Sequence, residues 1–176
     1  MRGSIRHDWY GNPLEVGLRW SLCLGEEQGV YIAHMPFAPV DRVELEQGDF
    51  VEGLWDHDVV ELFLAGSSGR YVEFNVSAQG AWWFMSFADY RKRTLSDCER
   101  PEVSIQIDRS DQAWQVQLEF ELTPIVRCLG EVTRVQIAGI HHGTETPVYL
   151  SSRTNLGGEP DFHHPSSFSR VGSFSV

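Results

Sequence analysis

Leu18-Arg-Trp-Ser-Leu-Cys-Leu24 puts Leu18, Trp20, Leu22 and Leu24 on one side of the chain and Arg19, Ser21 and Cys23 on the other. A side-chain period of two is the mark of a strand with one face on a core and the other toward water. The same alternation recurs at Val30 to His34, Val60 to Leu64, Val72 to Val76, Val103 to Ile107, Trp114 to Leu122 and Val135 to Ile140. Gly25 to Gly29, Gly66-Ser-Ser-Gly69, Gln79-Gly80 and Ser110-Asp111 fall between these runs, where hairpins reverse. No apolar stripe of helical period runs beyond two turns. The best helical candidate is Thr123 to Leu129, with Thr123 as cap, Pro124 in the first turn and Gly130 at the end. About ten short strands with at most one short helix predict an all-β fold, an antiparallel β-sandwich of the jelly-roll kind, spanning residues 1–176 as one domain.

The 176 residues carry 14 basic against 25 acidic side chains, a formal charge of -11. Such a balance opposes binding to phosphate backbones or anionic membranes, which need a basic face. Tyr90-Arg-Lys-Arg93 is the one basic cluster, and it is too short to make such a face. No run approaches ~18 consecutive apolar residues and Met1 to Trp20 lacks a secretory core, so the expectation is a cytoplasmic protein with no membrane span. Cys23, Cys98 and Cys128 are widely and irregularly spaced, as suits reduced thiols. Aromatic residues make up 12% of the chain, including six Trp, which leaves rings for recognition as well as packing.

Strand parity also sorts the polar residues. Along Tyr71-Val-Glu-Phe-Asn-Val-Ser77, Tyr71, Glu73 and Asn75 share the face opposite Val72, Phe74 and Val76, and Glu61 sits between Val59 and Phe63. If these strands pair, carboxylates, an amide and rings line one concave surface. Trp82 and Trp83 point to opposite faces of a strand that is apolar on both, which predicts a strand covered on two sides or beside a ligand groove. Asp41 to Glu61 holds eight carboxylates against Arg42 and begins as loop. Ser151 to Val176 is rich in Ser, Gly and Pro yet carries Phe162, Phe168 and Phe174, the pattern of an ordered loop followed by a closing strand.

Leu54-Trp-Asp-His-Asp-Val-Val-Glu-Leu-Phe-Leu64, followed by Gly69-Arg-Tyr-Val-Glu-Phe-Asn-Val-Ser77, resembles the family 9 carbohydrate-binding modules and the wider DOMON-like group. Members carry a W-x-x-D-x-V-E-x-F strand and then a strand with a Y-x-E-F/I-x-V core. Pro160-Asp-Phe-His-His-Pro-Ser-Ser-Phe168 looks like the family's closing segment, and the landmarks run in the family's order across residues 15–176. The resemblance implies a β-sandwich that binds the end of a sugar chain, with an indole stacked on the ring and polar groups clamping its hydroxyls. By motif position Trp55 looks like the stacking ring and Glu61 like a hydroxyl acceptor. A pyranose offers an apolar CH face to an aromatic surface and hydroxyls that carboxylate, amide and guanidinium groups can fork. Glu73, Asn75, Trp82, Arg91, Arg93 and Arg153 join the candidate set by residue type. Sugar-binding members close the ring with a second tryptophan from the C-terminal segment, but this chain has none after Trp114, so Phe162, His163 or His164 takes that place. The family also implies a structural calcium, for which Asp56, Asp58 or the acidic stretch are candidates.

Two other classes of function stay open from the residues. The pairs His141-His142 and His163-His164, near Glu145 and Asp161, are candidate zinc or iron ligands, and DOMON-like relatives include haem binders that use Met and His. His34 and Met35 are neighbours on a strand and cannot both face one iron. Glu61 with Glu73 would make a glycoside-processing carboxyl pair at a separation of ~5–9 Å. The leading expectation is a non-catalytic module for a small saccharide.

Overall fold

The computed structural model describes residues 1–41, 43–94, 98–143, 145–153 and 158–172. The alternating runs become strands: β1 (Arg2–His7), β2 (Pro13–Leu24), β3 (Gln28–Met35), β4 (Val59–Gly66), β5 (Tyr71–Ser77), β6 (Trp82–Asp89), β7 (Lys92–Thr94), β8 (Val103–Arg109), β9 (Trp114–Glu121), β10 (Val132–His141), β11 (Val148–Ser151) and β12 (Ser169–Arg170). One sheet has the order β1-β2-β3-β9-β8, and the other runs β11-β10-β4-β5-β6-β7 with β12 also beside β10. Every named strand pairing is antiparallel. The two sheets form an all-β sandwich around the apolar faces that alternation marked. Leu18, Trp20 and Leu22 from one sheet belong to the same buried cluster as Leu62, Leu64, Val72, Phe74 and Val76 from the other.

β1, β7, β11 and β12 carry little apolar alternation. They are ladder additions at or near sheet edges, where pairing satisfies backbone groups. α1 (Thr123–Leu129) forms where expected, with Pro124 in its first turn and Gly130 at φ 73 closing it. Its cap differs from the expectation: Leu122 occupies the N-cap with no side-chain hydrogen bond, and Thr123 is the first helical residue. The closing strand is only Ser169–Arg170, and Phe174 lies outside the described residues.

Antiparallel sheets of this kind commonly leave one face to water. Here every residue of β4 and β5 is buried. The outer face of the second sheet carries Phe63, Tyr71, Trp83 and Phe87, and a second apolar cluster joins them to Trp9, Leu54, Phe162 and Phe168. The stretch before β4 and the segment before β12 therefore fold over the sheet as a partial roof. The gap in that roof holds the site.

Candidate functional site

The floor of the site is a patch of cross-strand neighbours. Register places Glu61 opposite Asn75 and Asn75 opposite Trp83; the next row is Phe63, Glu73 and Met85; the next is Ala65, Tyr71, Phe87 and Arg93. Glu61 and Glu73 are thus diagonal neighbours on one face. The walls come from elements far apart in sequence: Trp55 and Asp56 from a 3-10 turn, Ile140, His142 and Tyr149 around β10 and β11, and Pro160, Phe162 and His163 from the closing segment. Together they enclose a cleft of about 340 Å³, at the lower end of the ~300–1,000 Å³ usual for small-molecule sites.

The turn that presents Trp55 is anchored at both sides. Gly53 precedes it at φ 91, a left-handed conformation that glycine adopts at no steric cost. Asp58, three residues after Trp55, accepts hydrogen bonds from the backbone N–H of Val40 at 3.0 Å and of His142 at 2.7 Å, and meets His141 Nδ1 at 3.1 Å. Burial alone would raise the Asp58 pKa, but the hydrogen bonds from His141, His142 and Val40 outweigh it and hold the carboxyl below its ordinary 3.8. His142 Nε2 lies 3.1 Å from the Trp55 carbonyl. Trp55 then packs edge-on against Trp83, with centroids 5.4 Å apart at 74°. Arg93 lies over Trp83 at 5.2 Å and is paired with Glu52.

Asp161 organises the opposite wall. Its carboxylate accepts from Tyr90 Oη at 2.7 Å, Arg91 Nη2 at 3.0 Å and the His163 N–H at 3.0 Å. Burial pushes its pKa up, but these donors and the Arg91 charge bring it down to about 2. Arg91, at φ 51, donates its backbone N–H to Tyr71 Oη at 3.1 Å, and that hydroxyl lies 2.9 Å from His163 Nδ1. Burial, then the charges of Arg91 and Arg93, lower the His163 pKa to about 4, so its ring is neutral at physiological pH. Because Tyr71 Oη already accepts from Arg91, its hydrogen is free for Nδ1. That assignment leaves the ring hydrogen on Nε2, 3.8 Å from Glu73 Oε2.

The floor is short of donors. Glu61 and Glu73 are 2% and 3% exposed. Asn75 Nδ2 donates to Glu73 Oε1 at 3.1 Å, and Gln136 Nε2 donates to the Phe162 carbonyl at 2.8 Å. Among the described residues, Glu61 Oε2, Glu73 Oε2, Asn75 Oδ1 and Gln136 Oε1 are buried with no hydrogen-bond partner. Leaving such groups unpaired costs ~1–3 kcal/mol each, so the floor is able to accept hydrogen bonds from a molecule in the cleft. Burial pushes Glu73 up to about 7, tempered by Asn75, Arg93 and Arg91. Glu61 stands well above the carboxylate range through burial and the proximity of Glu73.

Of the residues expected to bind ligand, Trp55, Glu61, Glu73, Arg91, Arg93, Phe162 and His163 line this cleft. Asn75 lies in the floor as Glu73's donor. Trp82 corrects the expectation: it packs in the inter-sheet core, donates Nε1 to the Gly48 carbonyl at 3.3 Å and meets Phe50 edge-on. Trp83 faces the cleft instead, because β6 register sets it opposite Asn75. His164 also falls away from the cleft, stacked on Tyr90 at 4.9 Å and paired with Asp161. Arg153 bonds the Asp161 carbonyl at 3.2 Å and lies over Trp9, behind the wall. Asp58, an expected calcium candidate, accepts from Val40 and His142 and meets His141. Among the described residues, no group of three or more His, Cys, Asp or Glu is placed to hold a metal ion. Tyr149 went unforeseen, and His142, expected only as a metal-ligand candidate, lines the cleft instead; nothing local in either marks a wall built by β10 and β11.

The fold of the chain is shared with carbohydrate-binding proteins. A protein from Bacteroides uniformis, proposed to bind carbohydrate, superposes with a TM-score of 0.71 at 14% identity, covering 97% of this chain and 84% of that one. A family 9 carbohydrate-binding module from Caldicellulosiruptor kristjanssonii in complex with cellotriose gives 0.59 at 10% identity, covering 97% and 80%. The module from the same organism in complex with glucose gives 0.61 at 11% identity, covering 97% and 82%. No protein-family model matches the sequence, and no curated protein matches it.

Proposed function

We propose that the chain is a non-catalytic saccharide-binding module that takes a pyranose unit into the cleft between Trp55 and the Glu61–Glu73 floor. One observation carries this reading: aromatic walls stand directly over buried acceptors that have no donor of their own. A pyranose matches both halves, since its CH face packs on an indole and its hydroxyls donate to carboxyl and amide oxygens. Arg91 and Arg93, held by Asp161 and Glu52, supply donors at the rim. Trp83 supplies the second indole, from β6 rather than from the closing segment, while Phe162 and His163 complete the far wall. The fold-sharing modules that hold cellotriose and glucose support the same class of ligand.

Isothermal titration against glucose, cellotriose and a panel of other mono- and oligosaccharides tests the proposal. Saturable binding that quenches or shifts Trp fluorescence is expected. A folded protein that binds no saccharide in the panel would refute it.

A further inference from the structure

If ionised, the carboxyls around the cleft would outnumber its arginines. Each arginine on its lining is matched by a carboxylate: Arg91 by Asp161 at 3.0 Å, Arg93 by Glu52. His163, the nearest base to Glu73, stays neutral. Among the described residues Glu61 has no ion-pair partner, Glu73 meets only the neutral His163 at 3.8 Å, and one oxygen of each is buried without a hydrogen bond. Asp56 adds a further carboxylate to the lining. Five aromatic residues, Trp55, Trp83, Phe87, Tyr149 and Phe162, face the same space. Buried carboxyls under aromatic faces are the chemistry that receives a cation. A neutral hydroxyl brings one donor to this floor, whereas an ammonium brings three donors and the missing charge.

We propose that the cleft selects a saccharide bearing a protonated amine, an amino sugar, with its ammonium seated on Glu61 and Glu73 and its ring against Trp55 and Trp83. This rests on the saccharide-binding reading and narrows it. In the empty site burial keeps Glu61 and Glu73 protonated beyond the usual range, and the ammonium replaces that proton. The O–H bond of a carboxyl breaks, its proton leaves to buffer, and an N–H···O contact forms. The other groups that act on the pair are Arg91 and Arg93, which favour ionisation, and Tyr71 and Tyr31, whose hydroxyls burial holds neutral. His163 and Asp161 complete the surroundings. Amine binding therefore strengthens from pH 5 to pH 7 as the carboxyls ionise more readily, and binding of a neutral sugar does not.

Titration of the whole chain with glucosamine, glucose and N-acetylglucosamine, at pH 6 in two buffers of different ionisation enthalpy, decides the matter. Glucosamine is expected to bind at least about tenfold more tightly than the two neutral sugars, releasing on the order of one proton per ligand. Glu73→Gln is expected to bring the glucosamine-to-glucose affinity ratio close to one and to cut the proton release. Neutral sugars binding as well as glucosamine would overturn the amine assignment and leave the saccharide reading standing. A preference that survives Glu73→Gln unchanged would overturn the seat. Folded protein that binds none of the three, nor any other saccharide, would remove the saccharide reading and the inference with it.

Discussion

Two tryptophans, one over the cleft and one under the sheet, should fail in opposite ways. Trp55 is half-buried on its 3-10 turn and contacts Trp83 edge-on. Trp55→Ala removes that contact, ~0.5–1.5 kcal/mol, so at ~2–4 °C per kcal/mol for a chain of this size Tm falls by roughly 1–6 °C. It also removes the face on which a ligand ring packs. Stacking and burial together make that worth about 2–3 kcal/mol, a loss of roughly 30- to 150-fold in affinity. Trp82, 7% exposed, sits in the inter-sheet core. Trp82→Ala leaves a cavity there and costs about 3–5 kcal/mol, a Tm fall of roughly 6–20 °C, with binding little changed in the fraction that is folded. Thermal melts by circular dichroism read the first quantity and titration with glucose or glucosamine the second. Equal loss of affinity in both variants would refute the placement of Trp82 on the inter-sheet face of β6, and wild-type affinity in Trp55→Ala would refute Trp55 as the stacking face.

Three further outcomes follow from the buried charges. Glu73, raised from 4.5 to about 7 chiefly by burial, holds its proton more tightly folded than unfolded, so it contributes full stability below about pH 4.5 and loses it as pH climbs through 7. Glu73→Gln escapes that loss and should be more stable than the native chain at pH 8, by something on the order of 3 kcal/mol at ~1.36 kcal/mol per pH unit. The two should converge at pH 4, and chemical denaturation at both pH values that finds no difference at pH 8 would contradict the burial argument. His163, lowered from 6.5 to about 4 mainly by burial, works the other way: its contribution is present above about pH 6.5 and is lost as pH falls through 4. Its ring resonances in an NMR titration should show no protonation at pH 6. Asp58→Ala strands the N–H groups of Val40 and His142 and breaks the contact to His141; the expected cost is about 3–5 kcal/mol, with weaker ligand binding as the Trp55 turn loosens. A loss under about 1 kcal/mol in urea denaturation would show that the turn is held by something else.

Much of the architecture was legible in residue order alone. Leu18 to Leu24, Val72 to Val76 and Trp114 to Leu122 alternate so regularly that strand type and the inward face of each follow from the period of two. The shared side of Tyr71, Glu73 and Asn75 follows in the same way, and Glu61 between two apolar neighbours pointed to the same surface. Parity within one strand is a local property, set by backbone geometry over a few residues. It says nothing about which strand lies alongside. Trp82 and Trp83 are equivalent by parity, because both faces of β6 are apolar, and only the pairing of Asn75 with Trp83 decides which ring faces the cleft. Tyr149, His142 and Phe162 join the cleft through contacts across the whole length of the chain. Burial did the rest. The donor-poor floor arises only when the stretch before β4 and the closing segment fold over a sheet face that would otherwise be wet, turning two ordinary glutamates into a buried pair short of positive charge.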